Sequence, residues 1–175
     1  MANKPQPNRP EQHFPDNELL FCRVRRNNFK RNGRASPLAF GLPDMSVNRE
    51  QFSTAEQARK GHNPEDWGVV SFPVSAIPPR EEWVHVALVY RMLPRHVPVD
   101  GNFAHSEVRV WRKNDAIYLL VTSRTDNDFG ADDPDQTEAR CPPDELDPDF
   151  HMRWRKHIAL ACKTEILPDG GTAAA

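Results

Sequence analysis

The chain has 175 residues, of which 38% are hydrophobic, and a formal net charge of -2. This length suits one domain, since domains usually hold about 100–200 residues, and the near-neutral charge by itself gives no indication of nucleic-acid binding. Seventeen prolines are roughly twice the usual share of about 5%, so part of the chain is expected outside the core. No apolar run reaches the roughly 18 residues of a membrane span.

The first elements follow from composition and alternation. Residues 1–17 are rich in Pro, Asn and Gln, which predicts a disordered segment. Residues 18–25 alternate as a strand, with apolar side chains on one face and two arginines on the other. The apolar residues are Leu20, Cys22 and Val24, and the arginines are Arg23 and Arg25.

A long connection with Gly and Pro covers residues 26–44, and a short strand is predicted at 45–48. Ser53 and Glu56 have the spacing of a capping box, which predicts a short helix to about Gly61. Further strands are predicted at 67–74, 82–91, 106–112 and 116–122. Both faces of 82–91 are apolar, which is typical of a central strand.

The C-terminal third begins with an acidic, Pro-rich segment at 126–147, for which a solvated, mobile loop is predicted. Asp147 or Asp149 is expected to cap a helix running to about Cys162, and the tail, 166–175, is expected to be flexible. The prediction is a single α+β domain over 18–165. It has a mainly antiparallel sheet of about five or six strands, a short helix and a C-terminal packing helix.

The three cysteines are odd in number and no Cys-x-x-Cys occurs, which favours reduced thiols in a cytoplasmic protein. The N-terminus lacks the apolar segment of a signal peptide. His105-x-Glu107 lacks the later Pro-Cys-x-x-Cys that a zinc deaminase needs. No metal site and no cofactor are therefore predicted.

A basic stretch is the first candidate site. Six Arg or Lys residues lie between Arg23 and Arg34, and no acidic residue lies between Glu18 and Asp44. Arginine suits bidentate contact with phosphate, so a phosphate-bearing ligand or an acidic partner is expected here. The alternative is a solvated basic edge that attracts the acidic loop of the same protein. The candidate ligand-binding residues are Arg23, Arg25, Arg26, Arg31, Arg34, Ser36 and Phe40.

His105 and Glu107 form a second candidate. Residues two apart on a strand project from the same face, so this pair could serve as a general acid and base. The alternative interpretation is an ion pair on the surface of an edge strand.

Several short pieces resemble a family of short, uncharacterised bacterial proteins. They are Arg23, Gly33-Arg34-x-Ser36-x-x-Ala39-Phe40, Ser46-Val47 and Asn102-x-Ala104-His105. Phe103 stands where that family has Pro. The resemblance implies no settled activity.

The order of Arg23 or Arg25, Ser46 and Glu107 on predicted strands also resembles the arrangement of ADP-ribosyltransferases. The resemblance implies that the arginine would hold the phosphates of NAD and that Ser46 would orient the nicotinamide ribose. Glu107 would stabilise the oxocarbenium-like transition state. The chain has no Ser-Thr-Ser and no Gln/Glu-x-Glu motif.

The sequence therefore predicts a small cytoplasmic bacterial binding protein that engages nucleic acid, a nucleotide or an acidic partner through its basic loop, without membrane contact. One alternative is an ADP-ribosyltransferase-like enzyme that uses NAD, with Ser46, His105 and Glu107 as catalytic candidates. Another is a structural subunit of a larger assembly.

Overall fold

The computed structural model describes residues 12–77, 83–85, 88–125, 128–129 and 133–169, with the side chains of 83–85 excepted. The α+β class and the mainly antiparallel sheet are confirmed, although the described residues form nine strands rather than five or six. The strands are β1 (Leu19–Arg25), β2 (Asp44–Arg49), β3 (Trp67–Pro73), β4 (Trp83–His85), β5 (Leu88–His96), β6 (His105–Asn114), β7 (Ile117–Val121), β8 (Arg140–Cys141) and β9 (Lys163–Ile166). The α-helices are α1 (Ala55–Arg59) and α2 (Pro148–Ala161).

The sheet has the strand order β4-β5-β6-β2-β1-β3-β9, and its described pairs are antiparallel except for a parallel β7–β8 pair. Strand β6 is long enough to pair with two different strands along the same edge. Its first half pairs with β2, from Asn48↔His105 to Asp44↔Arg109. Its second half forms a hairpin with β7, turning at Asp115, whose φ is 51°. The sheet therefore branches at the middle of β6.

One face of the sheet forms the main core with α2. The alternation predicted for β1 is confirmed, since its apolar side chains are buried there together with those of β2, β3 and β6. Asp147 caps α2 by accepting a hydrogen bond from the backbone N–H of Phe150 at 2.9 Å. The buried stripe of α2 consists of Phe150, Trp154 and Ile158. Burial of each such side chain contributes about 1.5–3 kcal/mol.

Two predicted elements differ from the structure. The strand expected at 82–91 is a hairpin of β4 and β5, in which Trp83 pairs with Tyr90 and His85 with Leu88. An apolar run fits one long strand as well as two short ones, so its pattern does not reveal the turn. The capping box of α1 is formed by Thr54 and Gln57, one residue later than predicted.

Described parts of three segments expected to be mobile are ordered. Phe14 is buried and Gln12 bonds His96, so the predicted disorder is wrong for residues 12–17. In the acidic segment Asp133 and Asp135 are buried. The tail begins with an ordered turn in which Asp169 bonds Arg59. The remaining parts of these predictions, 1–11, 126–127, 130–132 and 170–175, lie outside the described residues.

In the described part of the chain, the opposite face of the sheet has a small apolar cluster toward each end. At one end, Ala58 of α1 packs on Phe21 and Val69. At the other end, Phe129 packs on Trp111 and Leu120. Between these two apolar covers, the strands present polar side chains. No helix in the described part of the chain has the length and apolar composition needed to cross a membrane.

Candidate functional site

Three polar residues lie in one row across neighbouring strands of this face. The register joins β1 to β2 at Leu20↔Arg49 and Phe21↔Asn48, so Arg23 and Ser46 are the next positions along on the same face. Glu107 of β6 is the direct partner of Ser46. The row Arg23–Ser46–Glu107 therefore runs across β1, β2 and β6, and we call it the polar row.

A cleft of about 480 Å³ opens beside the polar row, between α1 and the turn at 99–104. Gly61 and Gly101 border it with φ values of +84° and +76°, which side chains other than glycine rarely adopt. Its described lining includes two cations, amides and aromatic rings but no carboxylate. These groups are Arg23, Lys60, Gln57, Asn102, Phe52 and Phe103.

The guanidinium of Arg23 is held by a neutral partner. Its Nη1 donates to Nε2 of His62 in a short hydrogen bond. Burial, followed by the charge of Arg23, lowers the pKa of His62 below its usual value of 6.5. Among the described residues no carboxylate pairs with Arg23, so its positive charge is retained at the cleft.

His105 is oriented by two hydrogen bonds. Its Nδ1 lies 2.7 Å from the carbonyl oxygen of Val97, which accepts only if Nδ1 carries the proton. Its Nε2 lies 3.3 Å from Oγ of Ser46, so in the neutral imidazole with the proton on Nδ1 it is Nε2 that accepts from the Ser46 hydroxyl. Ser46 is exposed and His105 is buried. The structure thus brings together two of the predicted catalytic residues.

His105 and Glu107 share a face as predicted but have different hydrogen-bond partners, and the alternative of an ion pair on an edge strand is wrong. Strand β6 is interior, and Glu107 is drawn to two guanidinium groups. Arg124 donates to both of its carboxylate oxygens at 2.9 and 2.6 Å, and Nε of Arg109 donates at 2.9 Å. Burial raises the pKa of Glu107, but the bonds from Arg124 and the charge of Arg109 outweigh it and lower the pKa.

Arg109 is fully buried and binds the acidic segment. It donates to both oxygens of Asp133 at 2.7 and 2.6 Å and to Asp135 at 2.8 Å. Burial lowers the pKa of Arg109, but these bonds and the charge of Glu107 outweigh it and raise the pKa. We call Arg109, Glu107, Asp133 and Asp135 the Arg109 cluster. Asp133 and Asp135 therefore dock on β6 rather than on the basic loop.

The basic loop contributes only Arg23 to the cleft. Arg25 stacks on Trp67 at 5.1 Å from the ring centroid, and with Arg26 it borders a separate, open depression. Arg31 and Arg34 are exposed. The loop as a whole is not the wall of one cleft.

Two residues of the predicted binding loop have structural roles instead. Phe40 is fully buried in the main core, so its prediction as a ligand-binding residue is wrong. The hydroxyl of Ser36 accepts from the N–H of Leu38 and caps the turn at Pro37–Ala39. Both residues therefore contribute to the conformation of the loop.

Cys22 lies in the main core, as its alternation predicts, and burial raises the pKa of its thiol to about 12. Burial also raises the pKa values of Cys141 and Cys162. No group of three or more possible metal ligands occurs in the part of the chain that the structure describes.

Sequence reasoning missed most of the cleft. Phe52 and Lys60 line the cleft and His62 bonds Arg23, because α1 packs on β1 and β3, which no local pattern reveals. Asn102 had a signal, since it stands in the same short motif as His105. Its Nδ2 donates to Oδ1 of Asn48 at 3.0 Å and ties the 99–104 turn to β2.

No protein-family model, curated protein or solved structure matches this chain. The two resemblances drawn from the sequence therefore stay predictions, and the function is inferred from the geometry of the cleft and the polar row.

Proposed function

We propose that the cleft beside the polar row binds a phosphate-bearing ligand of nucleotide size. The observation that carries this proposal is that Arg23 and Lys60 line a concave site without a carboxylate among its described lining residues. Cations without a carboxylate partner in a cleft attract anions, and guanidinium groups bind phosphate in a bidentate manner.

The size and the remaining lining favour a nucleotide over extended nucleic acid. A volume of about 480 Å³ falls within the roughly 300–1,000 Å³ typical of small-molecule sites. Phe52 and Phe103 lie 5.0 Å apart at one side of the cleft, and exposed aromatic rings stack on bases. The amides of Gln57 and Asn102 can bond the hydroxyl groups of a ribose.

Calorimetric titration with NAD, ADP and adenosine tests this proposal. Replacement Arg23→Gln should weaken the binding of NAD and ADP by at least about tenfold, since a charge-assisted hydrogen bond contributes about 1.5–3 kcal/mol. Arg25→Gln is the matched control, because Arg25 lies on the same strand but outside the cleft. It should leave affinity within about twofold.

Adenosine, which lacks phosphate, should bind more weakly than ADP by a similar factor. Equal losses in the two arginine variants would overturn the assignment to the cleft. Failure of the wild-type protein to bind either phosphate-bearing compound would overturn the proposal itself.

A second candidate is transfer of ADP-ribose from NAD, favoured by the polar row itself. Arg23, Ser46 and Glu107 follow one another across three adjacent strands. In the ADP-ribosyltransferase arrangement they would hold phosphate, orient the ribose and stabilise the oxocarbenium-like charge. The lowered pKa of Glu107 keeps its carboxylate ionised, although Arg124 shields it in this structure.

Consumption of NAD, measured by release of nicotinamide, separates this enzyme from a binding protein. Glu107→Gln should abolish consumption while circular dichroism shows a retained fold, and Glu145→Gln, at a surface carboxylate paired with Arg112, should not change it. A wild-type protein that binds NAD without releasing nicotinamide would leave only the binding function.

A further inference from the structure

We infer that Ser46 is an activated nucleophile, with His105 as its general base, and that the pair supports acyl transfer from esters. This goes beyond ligand binding in the cleft and does not depend on it. It rests on the two hydrogen bonds of His105 and on the exposure of Ser46.

The contacts of His105 favour the tautomer that a general base requires. Nδ1–H donates to the carbonyl of Val97 at 2.7 Å, which directs the lone pair of Nε2 toward Oγ of Ser46 at 3.3 Å. A base that is itself oriented by a third group is the arrangement that activates a serine hydroxyl. The carbonyl of Val97 takes the orienting place that a carboxylate has in other sites.

The general base is buried, whereas the nucleophile is accessible to solvent. His105 is 8% exposed, whereas Ser46 is exposed to solvent. Asn48, the cross-strand partner of His105, is two residues from Ser46 on the same face. Its Oδ1 accepts from Asn102, and its amide nitrogen can donate to a developing oxyanion.

The reaction balances without a cofactor. Oγ of Ser46 forms a bond to the acyl carbon of the ester while its proton moves to Nε2 of His105. The bond from that carbon to the alcohol oxygen breaks, and the alcohol leaves with the proton from Nε2. Water then attacks the acyl-serine and gives one proton to Nε2, which passes it to Oγ as the acid leaves. The net change is ester plus water to acid plus alcohol.

The molecule contains a natural control for this pair. Oγ of Ser106 lies 3.2 Å from Nδ1 of His96, a contact of the same chemical type. Both of these residues are buried, Ser106 completely. A reagent in solution therefore reaches Ser46 and not Ser106.

Labelling with a fluorophosphonate probe tests the inference, with mass spectrometry of the digested protein to locate the adduct. The wild-type protein should carry the adduct on Ser46, and Ser46→Ala should carry none. His105→Gln should slow labelling by about 100-fold, the usual scale of general base catalysis. Ser106→Ala should label at the rate of the wild-type protein, and circular dichroism should show a retained fold in each variant.

Ser46 is exposed, so Ser46→Ala is expected to fold even where His105→Gln does not. An unlabelled wild-type protein, an adduct on another serine, or equal rates in the wild-type protein and in folded His105→Gln would each overturn the inference. The assay contains no nucleotide, so its failure leaves the binding proposal standing, and the loss of nucleotide binding would leave this inference standing.

Discussion

Arg109 and Arg23 lie on the same face of one sheet and have opposite surroundings. Arg109 is fully buried and contacts three carboxylates, from Glu107, Asp133 and Asp135. Arg23 is half-buried, contacts a neutral histidine and faces the cleft. The first arginine joins the acidic segment to the sheet, while the second keeps a charge for a ligand. An arginine in a sequence therefore indicates an anion-binding site only if no carboxylate of the folded protein neutralises its charge.

The largest expected effect is on Arg109. Arg109→Leu should lower the free energy of unfolding by about 3–5 kcal/mol, because it leaves buried carboxylates without their common cation. Arg23→Gln should lower it by less than about 1 kcal/mol. Urea unfolding followed by circular dichroism measures both. Similar losses in the two variants would show that the contrast between the two arginines does not hold.

A smaller effect is expected on the pH dependence of ligand binding at the cleft, through His62. Burial and the neighbouring Arg23 lower the pKa of His62 below 6.5, so a bound phosphate that offsets Arg23 should raise it again. A group whose pKa rises on binding takes up a proton, so affinity must increase as pH falls. The affinity for NAD should rise several-fold between about pH 7.5 and about pH 5.5.

NAD suits this measurement because its phosphodiester groups do not titrate in that range. His62→Gln should remove the pH dependence while keeping an acceptor for Arg23. A pH dependence that persists in this variant would place the responsible proton elsewhere.

The elements that sequence predicts well are those in which one residue pattern decides the outcome. The alternation of β1 and the apolar spacing of α2 each identify a buried face, and Asp147 marks the helix start. Arg23, Ser46 and Glu107 also lie on three adjacent strands in the predicted order, and residues at corresponding positions on adjacent strands are neighbours in a sheet.

The parts that sequence misses depend on contacts between distant residues. The acidic segment reads as solvated because local composition does not reveal Arg109, which lies 24 and 26 residues before its two aspartates. His105 contacts Ser46, 59 residues away, while Glu107 is bound by Arg109 and Arg124. Which carboxylate pairs with which arginine therefore depends on the folded sheet, which brings these distant residues together.

The short pairing between β1 and β2 has a consequence for motion. The described register joins these strands at two residue pairs, whereas β5 and β6 are joined at seven. Regions with few backbone hydrogen bonds open at the lowest free energy. The pairing of β1 with β2 is therefore expected to open at a lower free energy than the pairing of β5 with β6, beginning on the side where Arg23 and Ser46 lie.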